Sequence, residues 1–553
     1  MHELSILIGG ITGSGVNETG ALIARLLNRL GYFIYMHYDY PSRVRGGHSF
    51  ALLRAADHPI SAHSDVVDLV LALDQESIDL HRAKWKADTV IIYDADRINL
   101  ELEKQPRATL PISLILKQEN APTEYRTFCM IGALCKIWGL DLSLLQEVVA
   151  KHSPAGSEQK LNVAARGYDS ADRYQTIPKI DRPPLPVING SHAMCLGFVE
   201  CGMQAYVAYP MTPTSPLLEY FAASAPDLGL HVPLPENEIA VMIMALGYAY
   251  MGIKTVVGTS GGGFSLMVEG LGLAGQAELP VVVVMGQRAG PSTGMPTKTA
   301  QTDLHFVLSA GHGEFPRLIV APGDAEEAYY WAGVALNKAW QYQIPAFLLT
   351  DKTLGLSLYS FDWNNVKDLR EESPSLWNEQ GEYQRYFSSE KGVSPLAFPP
   401  LPEQVIKINS YVHDEKGITT ENPVLAVAAA DKRRLKEESL AMDLASYETV
   451  KVYGTGSTAL LCWGSNKGVC VEIAAKMGLR VVQVLLLAPF PRGALSQALK
   501  EVNRLIGVEC NATGQLGSLL QLHGFEINAN IRKYDGRPFS LQELENEVKK
   551  VVK

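Results

Sequence analysis

Short apolar runs alternate with amphipathic helical stretches along the first 180 residues of the chain. A glycine-rich turn, Gly9–Gly15, separates the first run from a helical pattern that ends at Gly31. Because strand–helix–strand alternation is typical of a sheet with helices on its faces, residues 1–180 are predicted to form a parallel-sheet α/β domain. The predicted strands are Leu4–Ile8, Tyr32–Tyr38, Val66–Leu73 and Thr89–Tyr93.

The same alternation returns twice, and it predicts doubly wound domains over 188–357 and 451–553. Their strands are apolar throughout, as expected when both faces of a sheet are buried. Asp324, with Glu327 three residues later, predicts a capped helix start. From 358 to 450 Pro, Ser and Trp cluster, and we interpret this segment as a surface connection. The predicted strands are Lys254–Gly258, Leu279–Met285, Leu318–Ala321, Ile344–Leu349, Ala459–Trp463, Arg480–Leu487 and Leu505–Glu509.

Composition and charge argue against nucleic-acid-binding, membrane-spanning and secreted proteins. The chain has 553 residues and a net charge of −10, which argues against a nucleic-acid partner because phosphate backbones require a basic surface. No apolar run reaches the roughly eighteen residues that span a bilayer, and the N-terminus lacks the pattern of a secretory signal. We therefore expect a cytoplasmic protein with no membrane partner.

The seven cysteines form no CxxC pair. Their spacing differs from that of iron–sulfur or zinc ligands. In a cytoplasmic protein such thiols are expected to be reduced, and several are expected to lie in the core. We therefore expect no metal site on this chain.

The loop Gly10–Gly20 follows a predicted strand and precedes a predicted helix. Glycines there let the backbone approach a phosphate at the helix N-terminus. As a dinucleotide fingerprint the loop fails, because Glu18 stands where the third glycine belongs. A tight strand–helix turn without a ligand remains the alternative.

Two segments contain side chains that could serve either to stabilise a helix start or to bind a ligand. Tyr209–Pro216 has three prolines, and the hydroxyls of Thr212 and Ser215 could bind a ligand, although Ser215 could equally cap a helix. Pro235–Glu238 brings carboxylates to a helix start, where their interaction with the macrodipole stabilises the helix. A carboxylate aimed into a dry pocket could instead share a proton with a ring nitrogen.

The segment Gly286–Leu304 follows a buried strand, so it emerges at the carboxyl edge of a sheet, where open α/β folds bind ligands. It carries two cations, Arg288 and Lys298, among stiff turns and five hydroxyl side chains. The planar guanidinium of Arg288 matches a carboxylate. The alternative is a solvated loop with an ordinary surface arginine.

Taken together, these segments resemble the pyrimidine-binding domain of the 2-oxoacid:ferredoxin oxidoreductases in order and spacing. ITGSGVNETG and Arg45-Gly-Gly47 are similar to the γ component of that family, fused ahead of α, and the last hundred residues are similar to its transketolase-C-like domain. The matching motifs are YPMTPTSP, ENE followed by IAVMIMALGYAYMG, TSGGGFSLMVEG, QRAGPSTGMPTKTAQTDL, WGSNKGV, PFP, VECNATGQL and KYDGRPF.

The resemblance implies a reaction. In this family a thiamine diphosphate carbanion attacks the 2-oxo group, CO2 leaves, electrons pass singly through iron–sulfur clusters to ferredoxin, and coenzyme A takes the acyl group. The reverse carboxylation is equally implied. The γ–α fusion and GPSTGMPTKT look most like the 2-oxoglutarate branch, while pyruvate, branched-chain and aryl 2-oxoacids remain open.

The resemblance also implies roles for single residues. Glu238 matches the glutamate that protonates the aminopyrimidine, and Tyr209 and Pro210 would contact the cofactor. Thr212 and Arg288 match the groups that bind the oxo-acid end of the substrate. For a dicarboxylate substrate, Lys298 is our candidate for the distal carboxylate, because an unpaired buried acid is costly.

Two departures from the family pattern imply a second chain. The glycine loop is less glycine-rich than usual, which leaves a coenzyme A or nucleotide role there open. No GDG followed some twenty-five residues later by Asn is present, so the diphosphate and Mg²⁺ half-site, with a [4Fe–4S] cluster, is expected on a β subunit. We expect an (αβ)2 assembly that is active only with that subunit.

Two other classes of protein are compatible with parts of the sequence. One is a nucleotide-binding regulatory protein that uses the loop Gly10–Gly20 and catalyses nothing. The other is a transketolase-type enzyme without electron transfer, against which the QRAGPSTG segment argues.

Overall fold

The computed structural model describes residues 2–42, 46–100, 105–378 and 380–552. Arg45 of the N-terminal motif therefore lies outside the described residues. The chain forms two compact units. The first comprises residues 1–188, 356–362 and 540–549, and the second comprises the rest of the chain.

The regular elements of the first 189 residues are seven strands and six helices within the described ranges. The strands are β1 (Glu3–Ile11), β2 (Phe33–Asp39), β3 (His48–Ala56), β4 (Val67–Ala72), β5 (Trp85–Asp94), β6 (Arg107–Leu110) and β7 (Val187–Asn189). The helices are α1 (Val16–Arg29), α2 (Gln75–Asp79), α3 (Ile112–Gln118), α4 (Arg126–Ile137), α5 (Leu142–His152) and α6 (Ser157–Asp169).

The remainder of the chain repeats the alternation. Its strands are β8 (Ala205–Val207), β9 (Thr255–Thr259), β10 (Val281–Ala289), β11 (Met295–Thr299), β12 (Leu318–Val320), β13 (Pro345–Asp351), β14 (Leu358–Ser360), β15 (Val450–Tyr453), β16 (Thr458–Cys462), β17 (Arg480–Val484), β18 (Leu486–Ala488), β19 (Arg504–Glu509) and β20 (Ala529–Arg532). Its helices are α7 (Gly190–Glu200), α8 (Ser215–Leu228), α9 (Glu238–Tyr250), α10 (Gly261–Ala277), α11 (Leu304–Ser309), α12 (Ala325–Tyr342), α13 (Lys352–Leu356), α14 (Pro423–Leu444), α15 (Lys467–Met477), α16 (Arg492–Ala498), α17 (Gln515–Leu522) and α18 (Leu541–Val552).

The first unit is built on one mixed sheet in the order β6-β5-β4-β1-β3-β2-β14-β7. The half formed by β1, β4, β5 and β6 is parallel, as predicted. The prediction of a wholly parallel sheet is wrong for the other half, because β3 runs antiparallel to both β1 and β2. Helices α1, α4, α5 and α6 bury their apolar faces in the larger core of this unit.

The second unit contains two further sheets. One has the order β18-β12-β13-β10-β9-β8 with β11 paired to β10, and it is parallel except at β18 and β11. The other has the order β15-β17-β16-β19-β20 and is antiparallel only at β15. The α/β class with several doubly wound sheets is therefore confirmed.

The segment 358–450, interpreted from the sequence as a surface connection, contains the 22-residue helix α14. This helix is anchored by a buried charge cluster. Lys432 and Lys436 both donate to the carboxylate of Glu278, which is 5% exposed. The two ammonium groups hold the pKa of Glu278 well below its usual range despite its burial. The cluster fixes α14 to the end of α10.

The seven cysteine thiols are all buried and unpaired, as expected for core residues. Burial raises the pKa of the Cys129 thiol to about 12, which keeps it protonated and unreactive at neutral pH. Among the described residues, no helix has the length and apolar character needed to cross a bilayer.

Candidate active site at the strand ends of the second unit

Three loops meet at the carboxyl ends of β8, β9 and β10. The loop 208–214 follows β8, the N-terminus of α10 follows β9, and the ribbon that ends at β11 follows β10. Because parallel strands bring their carboxyl ends to one edge, segments far apart in sequence converge there. This edge gathers several of the side chains singled out by the sequence.

Thr212 and Arg288 are brought into direct contact. A guanidinium nitrogen of Arg288 donates a 3.0 Å hydrogen bond to the carbonyl oxygen of Thr212. Partial burial lowers the pKa of Arg288 and the nearby carboxylate of Asp303 opposes that shift, so the guanidinium stays charged at neutral pH. The contact leaves a half-buried cation beside the rigid loop, which suits recognition of an anionic ligand.

Glu238 is the first residue of α9 and is only 4% exposed, whereas Glu236 is exposed. The helix does not use the Glu238 side chain as its cap, because Asn237 accepts from the N–H of Ala240. Within the described residues, no hydrogen bond to the Glu238 carboxylate is found. The Glu238 side chain is mostly buried and makes no hydrogen bond to another described residue, so its carboxylate is available to a ligand.

Gly263, in the first turn of α10, borders the Glu238 carboxylate. A Cβ at this position would lie 2.5 Å from Oε1 of Glu238 and 2.3 Å from the hydroxyl of Thr259. Only glycine fits here without displacing either group, so the first turn of α10 packs closely against Glu238. A thiamine cofactor fits the position of Glu238, because its aminopyrimidine ring needs a carboxylate in a mostly buried site.

Asp303 is a member of this site that the sequence did not assign to any role. Its Oδ2 is buried without a hydrogen-bond partner in the described part of the chain. Burial raises the pKa of Asp303 to about 6, although the charge of Arg288 opposes the rise. Its backbone N–H donates to the side chain of Gln287, 3.2 Å away, which ties the loop to β10.

Lys298 lies on β11, where Thr299 pairs with Arg288. Since neighbouring residues of a strand point to opposite faces, Lys298 is directed away from the face that carries Arg288. Its Cβ lies 2.9 Å from where a Cβ on Gly536 would be, so its stem packs against the KYDGRPF segment. Tyr209 and Pro210 are exposed on the loop after β8.

A cavity of about 710 Å³ lies in the first unit around the glycine loop at the start of α1. Gly15 caps this helix in the left-handed region, with φ 83°. Arg126 and Lys160, both buried, and the more exposed Arg97 bring positive charge to the cavity. Lys160 also donates to the hydroxyl of Ser153, 2.8 Å away. The cavity therefore combines a helix N-terminus with three cations.

Among the described residues, no group of three or more His, Cys, Asp or Glu side chains is placed to hold a metal ion.

Comparisons with known proteins connect both sites to one family. Residues 197–431 match the family model described as pyruvate flavodoxin/ferredoxin oxidoreductase, thiamine diphosphate-binding. Residues 5–170 match that of pyruvate ferredoxin/flavodoxin oxidoreductase. The second unit thus contains most of a thiamine diphosphate-binding domain.

Two relatives and one solved structure extend the match. The 2-oxoacid:ferredoxin oxidoreductase subunit alpha of a Sulfolobus species is 30% identical over all of this chain and 97% of its own length. The 2-oxoglutarate synthase subunit KorA of Methanocaldococcus jannaschii is 36% identical over 30% of this chain and 46% of its own. The 2-oxoglutarate:ferredoxin oxidoreductase of Magnetococcus marinus, solved with 2-oxoglutarate, coenzyme A and succinyl-CoA bound, superposes with a TM-score of 0.90 at 26% identity, covering 100% of both chains. The chain belongs to the 2-oxoacid:ferredoxin oxidoreductase family and is an α-type subunit of such an enzyme.

Proposed function

We propose that this chain, with a β subunit, catalyses the coenzyme A-dependent oxidative decarboxylation of 2-oxoglutarate to succinyl-CoA and CO2. Two electrons pass one at a time to ferredoxin, and the reverse reductive carboxylation uses the same groups. The observation that carries the proposal is the arrangement at the strand ends of the second unit. There a half-buried guanidinium and the carboxylate of the mostly buried Glu238, which makes no hydrogen bond to another described residue, line one edge of a parallel sheet.

Thiamine diphosphate, when bound, supplies the carbanion that adds to the oxo carbon and accepts the electron pair left by CO2. We assign Glu238 the task of holding a proton at the aminopyrimidine ring nitrogen. Its burial, and the absence of a hydrogen bond to it from the part of the chain that the structure describes, support this role, because a proton shared with a ring nitrogen would satisfy the carboxylate. Tyr209 and Pro210 are assigned to the edge of the cofactor because they lie on the same rigid loop as Thr212.

Arg288 is assigned to the carboxylate next to the oxo group, which every 2-oxoacid carries. Its hydrogen bond to the Thr212 carbonyl fixes one nitrogen of the guanidinium and leaves other N–H groups for the substrate. The hydroxyl of Thr212 is the assigned neutral donor to the oxo-acid end. Together they orient the substrate before the carbon–carbon bond breaks.

The choice of 2-oxoglutarate rests on the names of the relatives and of the superposed enzyme, and on the need for a second cation. We assign Lys298 to the distal carboxylate. The backbone directs Lys298 away from the face of Arg288, so the reach of its flexible four-carbon stem must bring the ammonium to the substrate. The β subunit is the alternative source of this cation.

Lys298→Ala is expected to lower kcat/KM for 2-oxoglutarate by about tenfold or more while changing that for pyruvate less than about twofold, because only the dicarboxylate loses a charged partner. The measurement is the ratio of the two kcat/KM values in the assembled enzyme. Equal losses for both substrates would remove Lys298 from the specificity pocket and leave the β subunit as the source of the distal cation.

Coenzyme A is assigned to the cavity of the first unit. Its phosphate groups need positive charge and free N–H groups, and the cavity offers both in Arg126, Lys160 and the start of α1. The hydroxyl of Ser14 in the same loop is buried without a partner in the described residues, which leaves a donor available to a ligand. Under this assignment the glycine loop binds a substrate, coenzyme A, and not a regulatory nucleotide.

A β subunit is assigned to the apolar surface of α9 and α10. Ile239, Ile243 and Met244 on α9, with Leu266 on α10, are all at least 38% exposed. Apolar stripes of this kind mark protein interfaces. The sequence lacks the GDG motif and clustered cysteines, so we place the Mg²⁺–diphosphate half-site and a [4Fe–4S] cluster on the β subunit and propose an (αβ)2 assembly with ferredoxin as acceptor.

The purified single chain is expected to be colourless and inactive, and the complex with its natural partner is expected to show the broad visible absorption of a [4Fe–4S] cluster. The reason is that this chain supplies only half of the cofactor site. Absorption spectra and iron content of the chain alone and of the complex provide the measurement. Iron–sulfur absorption or 2-oxoacid decarboxylation in the single chain would contradict the placement of the cluster and the Mg²⁺–diphosphate half-site on the β subunit.

A further inference from the structure

Asp303 occupies the N-cap position of the short helix α11, yet it does not cap that helix. Aspartate at an N-cap normally accepts a hydrogen bond from the first turn. Here the side chain turns toward the start of α10, where a Cβ on Gly261 would lie 2.7 Å from Oδ1 of Asp303. Its other oxygen, Oδ2, is buried without a hydrogen-bond partner among the described residues. The carboxylate therefore lies at the strand-end site, and no hydrogen bond to its own helix compensates for its burial.

Several charged groups lie at the strand ends around Asp303. Asp351, the last residue of β13, pairs with Gln287 of β10 and accepts a hydrogen bond from the hydroxyl of Ser465. Arg288, at the end of β10, is the charged group that acts on it, and the influence is reciprocal. On its own helix, His305 is engaged by the backbone and side chain of Gln515. Glu238, the first residue of α9, is a further titratable group here, because it borders Gly263 in the first turn of α10. Thr302, the residue before Asp303, donates its hydroxyl to the backbone carbonyl oxygen of Arg288, 3.3 Å away. A negative charge that arrives at Arg288 therefore comes close to Asp303 and opposes its ionisation.

We propose that Asp303 is a positioning residue that couples binding of the 2-oxoacid carboxylate at Arg288 to uptake of one proton. This inference rests on the proposed function of Arg288. In the unliganded site the positive charge of Arg288 favours the ionised form of Asp303. When the substrate carboxylate binds Arg288, two negative groups share one cation in a half-buried site, and Asp303 is neutralised by a proton from solvent. When the carboxylate leaves as uncharged CO2, the extra negative charge disappears and the proton returns.

The coupling has a direct consequence for the pH dependence of binding. Because burial raises the pKa of Asp303 to about 6 in the unliganded chain, Asp303 is mostly ionised at neutral pH. Substrate binding raises that pKa further, so binding weakens as the pH rises above about 6 until the pKa of the complex is reached. Binding at lower pH does not require proton uptake and is stronger.

The test uses the assembled enzyme with its β subunit and compares wild type, Asp303→Asn and the exposed control Asp227→Asn. The KM for 2-oxoglutarate should rise with pH by up to about tenfold per unit between about pH 6 and pH 8 in wild type and control, and stay within about twofold in Asp303→Asn. A purely structural role for Asp303 would shift KM at every pH without flattening its profile.

A second measurement needs no variant. Oxamate, an unreactive isostere of pyruvate with the same carboxylate, is titrated into the wild-type complex in two buffers of different ionisation enthalpy. About 0.5–0.9 proton per site should be taken up at about pH 7. Oxamate binding without proton uptake, or a wild-type KM that does not change with pH in an enzyme that turns over 2-oxoacids, would overturn the inference alone. A complex that turns over no 2-oxoacid would overturn the proposed function and this inference with it.

Discussion

Glu238→Gln should lower the turnover of the assembled enzyme by about 10²–10⁴-fold while leaving the fold and the subunit contacts intact. The amide has nearly the same shape as the carboxylate but cannot share a proton with the ring nitrogen of the aminopyrimidine. The step that fails is formation of the reactive carbanion. Exchange of the thiazolium C2 proton for deuterium, followed by NMR in the assembled enzyme, measures that step directly.

Glu236→Gln is the matched control. Glu236 stands two residues earlier in the same ENE motif but is exposed, so its replacement should leave the rate of C2 exchange within about twofold of wild type. If Glu238→Gln exchanged its C2 proton at the wild-type rate and Glu236→Gln did not, the assignment would pass to Glu236.

Arg288→Ala should lower kcat/KM by about 10²–10³-fold for every 2-oxoacid, which corresponds to roughly 3–4 kcal/mol lost when one partner of a desolvated charge pair is removed. The loss should be similar for 2-oxoglutarate and pyruvate, because both carry the carboxylate that Arg288 is assigned to bind. It should also remove the pH dependence of KM that Asp303 imposes. Steady-state kinetics with both substrates give these values.

Arg288→Lys separates charge from geometry. Lysine keeps the positive charge but lacks the planar fork, so it should recover part of the activity and leave a deficit of about tenfold. The exposed Arg370, replaced by alanine, serves as the control for loss of a surface arginine. Wild-type kcat/KM in Arg288→Ala would show that another group binds the common carboxylate.

Local signals in the sequence predicted most single elements, because they depend on neighbouring residues. The apolar runs at 254–258, 279–285 and 505–509 correspond to β9, β10 and β19, with ends shifted by a few residues. The predicted cap is confirmed, since Asp324 accepts from the N–H of Glu327 at 3.0 Å. The Glu327 side chain, however, bonds the N–H of Gly323 and the ammonium group of Lys467.

Strand direction and sheet membership were harder to predict, because they depend on partners distant in sequence. The apolar run Arg480–Leu487 was predicted as one strand but forms β17 and β18, which belong to different sheets. The antiparallel pairing of β2 with β3 lies outside what alternation of strands and helices indicates. The helix α14 escaped prediction because its first half is apolar on every side and exposed, so it has no amphipathic period.

The candidate site was only partly predictable for the same reason. The motifs identified Thr212 and Arg288 as binding candidates. Only the converging strand ends bring a guanidinium nitrogen of Arg288 to 3.0 Å from the carbonyl oxygen of Thr212. Sequence could not separate Glu238 from Glu236 on physical grounds, whereas burial does. Asp303 received no role from the sequence, because the burial of its Oδ2 without a hydrogen-bond partner among the described residues depends on the folded structure.

The proposed function requires that this chain supply the pyrimidine- and substrate-binding half of a 2-oxoacid:ferredoxin oxidoreductase. The most direct test purifies the chain with its natural β subunit and supplies thiamine diphosphate, Mg²⁺, coenzyme A and a viologen dye or ferredoxin. The predicted result is reduction of the acceptor that requires both coenzyme A and a 2-oxoacid and is fastest with 2-oxoglutarate. The reaction should yield equal amounts of CO2 and acyl-CoA. A loaded complex that reduces no acceptor with 2-oxoglutarate, pyruvate, or branched-chain or aryl 2-oxoacids would contradict it.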